Sequence, residues 1–323
     1  MDRVSDRVGG TLASPPRAAA TLRVGITGAG GLIGTALTRE LARRGDHVVR
    51  LVRHAPTAPD EARWSTGEGI QPGDSVRDLD AVVHLAGENI AASRWTPERK
   101  RLLRDSRVGA TRALAASLAR LGSHVPTLVT ASAIGIYGSR GDEVLSEASA
   151  PGTGFLAELA GEWEAAASHA REGGTRVAAV RFGLVLTPGG GLLERLLLPF
   201  RLGLGGPVGD PRAWWSWVTL DDAIGLLIHV LTHPELAGPC NAVAPGAVRN
   251  GAFAAALGHA LHRPAVLPVP AFALRLLLGE MADEMILASL HVTPARALET
   301  GYAFRHPELG GALEALLSRG NRR

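Results

Sequence analysis

The chain has 323 residues, 46% of them apolar, a formal net charge of +3 and a single cysteine. A chain of this length buries roughly three quarters of its extended surface and needs no disulfide staples. No stretch approaches the ~20 uninterrupted apolar residues of a membrane span: "GLLERLLLPFRLGLGG" is broken by Glu194 and Arg201. One cysteine excludes an intramolecular disulfide framework and a cysteine-based zinc cage. The arginines are scattered and paired with acids, as in "ERKRLLRDSR", which reads as a solvated surface rather than a nucleic-acid footprint. The expected setting is cytoplasmic, with a small-molecule substrate, no nucleic acid, no membrane, and a monomer or homodimer.

Residues 1–20 are rich in Gly, Pro, Ala and Arg and lack the apolar run of a secretion signal, so a disordered leader is expected there. "TLRVGIT" (21–27) is a buried strand run. "LIGTALTRELARRG" places Leu32, Ile33, Ala36, Leu37 and Leu41 on one helical stripe that Gly45 stops. "HVVRLV" (47–52) and "DAVVHLAG" (80–87) are the next strands, before a long helix with Thr96 as N-cap and Pro97 in its first turn. "TLVTAS" (127–132), a helix from about 155 to 171 and "RVAAVRF" (176–182) continue the alternation. The fold class is α/β: a Rossmann-type doubly wound parallel sheet covered on both faces, with ligands along one edge.

After about 185 the rhythm breaks into a segment rich in Gly, Pro and Trp; "TLDDAIGLLIHVL" then reads as an Asp-capped helix, and short helices fill the last 55 or so residues. Residues 21–240 are assigned to a dinucleotide-binding domain with a substrate-lobe insertion at about 185–215, and 241–323 to a smaller, mostly helical lobe. Trp214, Trp215 and Trp217 wall an apolar pocket or pack the core, two readings that stay open. Cys240, in a buried strand run, has a packing role. Histidines 84, 229 and 233 show no metal-ligand spacing.

Between the first strand and the first helix, Gly28, Gly31 and Gly34 follow a G-x-x-G-x-x-G spacing. Glycine permits the tight turn and close approach of main chain to a diphosphate, and the helix N-terminus, through Leu32 and Ile33, adds free N–H donors. An acid at the end of the second strand would favour NAD. Here Val52 stands in that place, followed by Arg53 and His54, and a guanidinium suits a 2′-phosphate. NADP(H) is the expected cofactor, ahead of NAD(H).

"TGAGGLIG", "VVHLAGENI", "SAIGIYGSRGDEVLSE" and "SWVTLDDA", in this order, resemble the extended short-chain dehydrogenase/reductase superfamily. More narrowly, they are similar to its atypical NAD-dependent epimerase/dehydratase branch, the "epimerase family" proteins that end in a domain of unknown function of the DUF1731 type. "PVPAFALRLLLGEMADEMILASLHVTPARALETGYAFRHPEL" resembles that tail.

The resemblance places Leu85, Ala86 and Gly87 against the cofactor, Glu88 and Asn89 toward the nicotinamide, and Ser132 on the cofactor side. It also implies a catalytic tyrosine four residues before a lysine, and this chain lacks the pair. Its only lysine is Lys100 and its only tyrosines are Tyr137 and Tyr302; Phe155 and Leu159 occupy the expected positions. Tyr137 and Glu88 are the remaining catalytic candidates, with Glu147 another carboxylate of the region. Without a cationic neighbour Tyr137 is expected near its ordinary pKa of ~10. The reading is an NADP(H)-binding oxidoreductase or epimerase-like protein. The alternative is a catalytically silent NADP(H)-binding sensor, in line with the cell-division-inhibitor label of some relatives.

Overall fold

The computed structural model describes residues 21–320 except 72, 74, 75, 77 and 122–124; the leader expected at 1–20 lies outside the described residues. The chain alternates β1 (Arg23–Thr27), α1 (Leu32–Arg44), β2 (His47–Val52), β3 (Glu61–Ser65), β4 (Gly69–Ile70), β5 (Ala81–His84), α2 (Pro97–Arg104), α3 (Ala110–Leu121), β6 (Thr127–Ala133), β7 (Val144–Leu145), α4 (Phe155–Ser168) and β8 (Arg176–Phe182). There follow β9 (Leu184–Leu186), α5 (Gly191–Arg201), β10 (Trp214–Trp215), β11 (Trp217–Thr219), α6 (Leu220–Thr232) and β12 (Gly238–Ala242). The tail holds β13 (Val248–Arg249), α7 (Asn250–Leu261), α8 (Ala271–Leu278), β14 (His291–Val292), α9 (Ala295–Glu299) and α10 (Leu309–Gly320).

The central sheet runs β12-β8-β6-β5-β1-β2-β3-β4, parallel except where β4 returns against β3. Strand order reverses between β1 and β5, which opens a crevice at their C-terminal ends. Alternation along each strand feeds two layers: Val24, Ile26, Ala81 and Val83 pack with Leu37, Leu41, Leu226 and Leu227 of α1 and α6, whereas Val82 and Leu128 pack with Leu114 and Leu118 of α3. A third apolar cluster joins α5, α7 and α10 around Trp215 and Trp217.

Local chemistry sets the helix ends as expected at two places. Gly45 takes φ 88° and closes α1, and the Thr96 hydroxyl accepts from Arg99 N–H with Pro97 in the first turn of α2. Elsewhere the structure corrects the sequence reading. The strand near 80–87 is only Ala81–His84, because the chain leaves the sheet there to line the crevice. Leu32 is 41% exposed; it stands at the first turn of α1, where the helix rises clear of the sheet.

The cap of α6 is Thr219, whose hydroxyl accepts from Asp222 N–H, not an aspartate. Asp222 is fully buried and its carboxylate gathers the Arg305 and His306 N–H groups at 2.8 and 3.0 Å, which ties the tail to α6. The tryptophans belong to the core or to polar stacks. Trp215 and Trp217 are buried, while Trp214 stacks on His291 beneath the Arg249 guanidinium and donates to Asp142.

Candidate dinucleotide site

Gly28, directly after β1, takes φ 68°, and an added Cβ would lie 2.9 Å from the Leu85 carbonyl and the Ala86 amide. Any other residue would both strain the backbone and push β5's exit away. Gly31 donates to the Gly28 carbonyl at 3.0 Å and stands as N-cap of α1 with no side-chain cap. A Cβ on Gly34 would collide with the Gly28 carbonyl. The first amides of α1, at Leu32 and Ile33, are therefore left at the mouth of the turn, together with the positive end of the helix dipole.

This turn forms one wall of a cavity of about 450 Å³, closed by Val52, Arg53 and His54 at the end of β2 and by Leu85, Ala86, Gly87 and Glu88 after β5. Arg50 also lines it but is engaged by Asp60 and Glu61. Arg53 is exposed and has no ion pair among the described residues. A cradle that only glycine fits, uncapped amides and an available guanidinium match a dinucleotide carrying one further phosphate. These are the residues the sequence singled out, brought together from three strand ends.

Beneath the turn, the Thr27 hydroxyl accepts from the Leu85 and Ala86 amides and so directs its proton to His84 Nδ1, 2.7 Å away. The His84 ring is fully buried, edge-on to Trp64, and burial lowers its pKa to about 4. Unfolding restores the ordinary value of ~6.5, so the unfolded chain takes up the proton first. This contribution is complete above about pH 6.5 and is lost as pH falls toward 4, a loss of about 3 kcal/mol. Urea unfolding at the two ends of that window should show it, and His84→Asn should show a correspondingly shallower pH dependence.

The proton-transfer candidates are placed less as expected. Tyr137 is fully buried; its hydroxyl donates to Asn241 Oδ1 and accepts from Arg181 Nη1, both at 2.8 Å. The cationic neighbour that the sequence did not reveal is thus Arg181, also 5.1 Å from the ring centroid. Arg140, three residues beyond Tyr137 in the chain, pairs with Glu143. Burial nevertheless raises the phenol's pKa. Tyr137 is packed as a core residue, with its hydroxyl held between Arg181 and Asn241.

Ser132, expected on the cofactor side, is buried and donates to Glu164 at 2.6 Å. Glu164 also grips Arg181 with two bonds of 2.8 Å. Ser132, Glu164, Arg181, Tyr137 and Asn241 form one internal polar chain beside the sheet's C-terminal edge. Glu147 accepts from the Asn241 backbone N–H.

Glu88 does line the cavity, half-exposed and 3.4 Å from Arg99, while Asn89 caps a local turn through Ala91 N–H. Sequence reasoning missed Arg107, which lies below Gly87, donates to the Glu88 carbonyl at 2.9 Å, and has its pKa lowered to about 10 by burial. It also missed Arg181, although a charge near the end of the buried run "RVAAVRF" was a legible signal. Buried Cys240 has its thiol pKa pushed up to about 12, which fits packing rather than reactivity. Among the described residues no group of three or more His, Cys, Asp or Glu is arranged to hold a metal, and no helix is long and apolar enough to cross a membrane.

Comparison with known proteins agrees with this geometry. Residues 24–243 match the NAD dependent epimerase/dehydratase family, and residues 269–316 match a domain of unknown function, DUF1731. The epimerase family protein Mb2239 of Mycobacterium bovis is 42% identical over 291 residues, 90% of this chain and 96% of that protein. The crystal structure of human epimerase family protein SDR39U1 (isoform 2) with NADPH superposes with a TM-score of 0.84 at 34% identity, covering 92% of this chain and 99% of the other. A nucleoside-diphosphate sugar epimerase from Corynebacterium glutamicum superposes with a TM-score of 0.76 at 34% identity, covering 93% of this chain and 59% of that longer one. Its sheet, its glycine turn and its tail together place this chain in the NAD dependent epimerase/dehydratase family.

Proposed function

We propose that this chain binds NADP(H) in the β1–α1 cavity and acts as an oxidoreductase or epimerase-like enzyme on a small molecule, without a tyrosine–lysine pair. The observation that carries the reading is Arg53, exposed and unpaired among the described residues, facing the same cavity as the glycine turn. Gly28, Gly31 and Gly34 with the Leu32 and Ile33 amides hold the diphosphate, Arg53 holds the 2′-phosphate, and Leu85, Ala86 and Gly87 flank the adenosine half. The human relative crystallised with NADPH supports the choice of cofactor. When bound, the nicotinamide supplies hydride donation or acceptance; the chain binds and orients it.

Calorimetric titration with NADPH and NADH tests the assignment. Arg53→Asp should weaken NADPH by about 30-fold, the worth of one charge-assisted phosphate contact of about 2 kcal/mol, and leave NADH nearly unchanged. Equal losses for both would remove Arg53 from the site. Phe155 and Leu159 in place of a phenol and an ammonium favour a second reading, a binding protein without turnover. Loss of NADPH absorbance with a panel of carbonyl compounds, scaling with protein, separates the two.

A further inference from the structure

Resting on that NADP(H) reading, we propose that Arg107 is a cofactor-positioning residue. Its charge, joined by that of Arg99, draws the diphosphate of either dinucleotide toward the cavity wall that follows β5.

Arg107 belongs to Asp105–Gly109, a π-helical turn between α2 and α3, a widening of the helix that often accompanies functional positions. Its guanidinium donates to the Glu88 carbonyl at 2.9 Å and, more weakly, to the Leu103 carbonyl at 3.4 Å. The guanidinium carbon lies 5.3 Å from the Trp163 ring centroid and 3.5 Å from where a Cβ on Gly87 would stand. Gly87, Glu88 and Ser106 all line the cavity, and the Ser106 hydroxyl accepts from Glu88 N–H at 3.3 Å. Arg107 therefore contacts the cavity wall directly, at the two residues that follow Ala86.

The charges at this corner do not balance. Among the described residues no carboxylate forms an ion pair with Arg107. Glu88 is the acid that favours its charge, and Arg99 is the cation that opposes it. The Glu88 side chain is 42% exposed and meets Arg99 at a long 3.4 Å. Arg99 is only 13% exposed; it also donates to the Asn89 carbonyl, and its Nε is buried without a partner among the described residues. Asp105, on the same turn as Arg107, is exposed to solvent. Two enclosed cations thus stand against one half-exposed carboxylate. An enclosed cation without a counter-charge costs stability, and an anion entering the cavity relieves that cost.

The glycine turn adjoins the same wall: a Cβ on Gly28 would lie 2.9 Å from the Leu85 carbonyl and the Ala86 amide. The diphosphate held by the Leu32 and Ile33 amides shares its cavity with the wall that Arg107 backs. Through protein rather than water, a unit charge acts across several ångströms with little screening. Arg53 acts on the phosphate that only NADPH carries. Arg107 acts on the charge that both cofactors share.

Calorimetric titration of full-length wild type, Arg107→Gln and Arg107→Lys with NADPH and NADH tests this role. Gln keeps side-chain donors for the Glu88 carbonyl but removes the charge. It should weaken both cofactors about 10-fold and preserve their ratio, unlike Arg53→Asp. Lys keeps the charge and should stay within about threefold of wild type. Removing the opposing charge should act in the other direction, so that Glu88→Gln tightens both cofactors about threefold. Wild-type affinity in Arg107→Gln, equal losses in Gln and Lys, or a loss confined to NADPH would overturn the role of Arg107 and leave NADP(H) binding standing. Failure of wild type to bind either cofactor would remove both. Should Arg107→Gln melt before it can be titrated, Glu88→Gln decides: affinity equal to or below that of wild type would overturn the proposal.

Discussion

Gly34→Ala is expected to abolish measurable NADPH binding and to destabilise the fold. The added carbon would meet the Gly28 carbonyl and crowd the Ala29 Cα at 2.8 Å, both main chain, so relief requires moving the whole turn. Overpacking of this kind costs about 1–3 kcal/mol, partly offset by alanine's better helix propensity of about 1 kcal/mol. The larger loss is in the ligand: once the turn moves, the Leu32 and Ile33 amides no longer converge, and affinity should fall at least about 100-fold, or about 3 kcal/mol. Gly30→Ala is the matched stability control, because a Cβ there meets nothing within 4 Å. Thermal melting and calorimetry of the pair check both halves, and unaltered NADPH affinity in Gly34→Ala would place the diphosphate elsewhere.

The second large effect is structural. Glu164→Leu should destabilise the protein by about 3–5 kcal/mol, because it strands the Arg181 guanidinium, whose side chain is only 8% exposed. Tyr137→Phe removes one hydroxyl from the same chain of bonds and should cost about 1–3 kcal/mol while leaving NADPH affinity unchanged. Denaturant unfolding of the two variants measures the difference. A Tyr137→Phe protein of full stability but no turnover would restore the phenol to catalysis and contradict its enclosure by Arg181 and Asn241.

The glycine turn and the strand–helix alternation were readable because each rests on near neighbours. A period of two or 3.6, a φ only glycine tolerates, or a Thr-x-x cap is decided within a few residues. The missing tyrosine–lysine pair was readable for the same reason, being four residues wide. The helix stripe including Leu32 was partly misjudged, since periodicity gives the face of a helix but not where the helix leaves the sheet.

The sequence by itself thus determined the sheet, the glycine turn between β1 and α1 and the positive charge at Arg53. Only the tertiary structure decided what surrounds the proton-moving candidates. Tyr137 meets Arg181 across 44 residues and Asn241 across 104, and Phe155 meets Glu284 across 129. Such pairings depend on where the tail returns over the sheet edge, fixed by the Asp222 tether and the β7–β14 pair. No local pattern encodes that path, because it is set by the burial of distant surfaces rather than by the torsions of neighbouring residues.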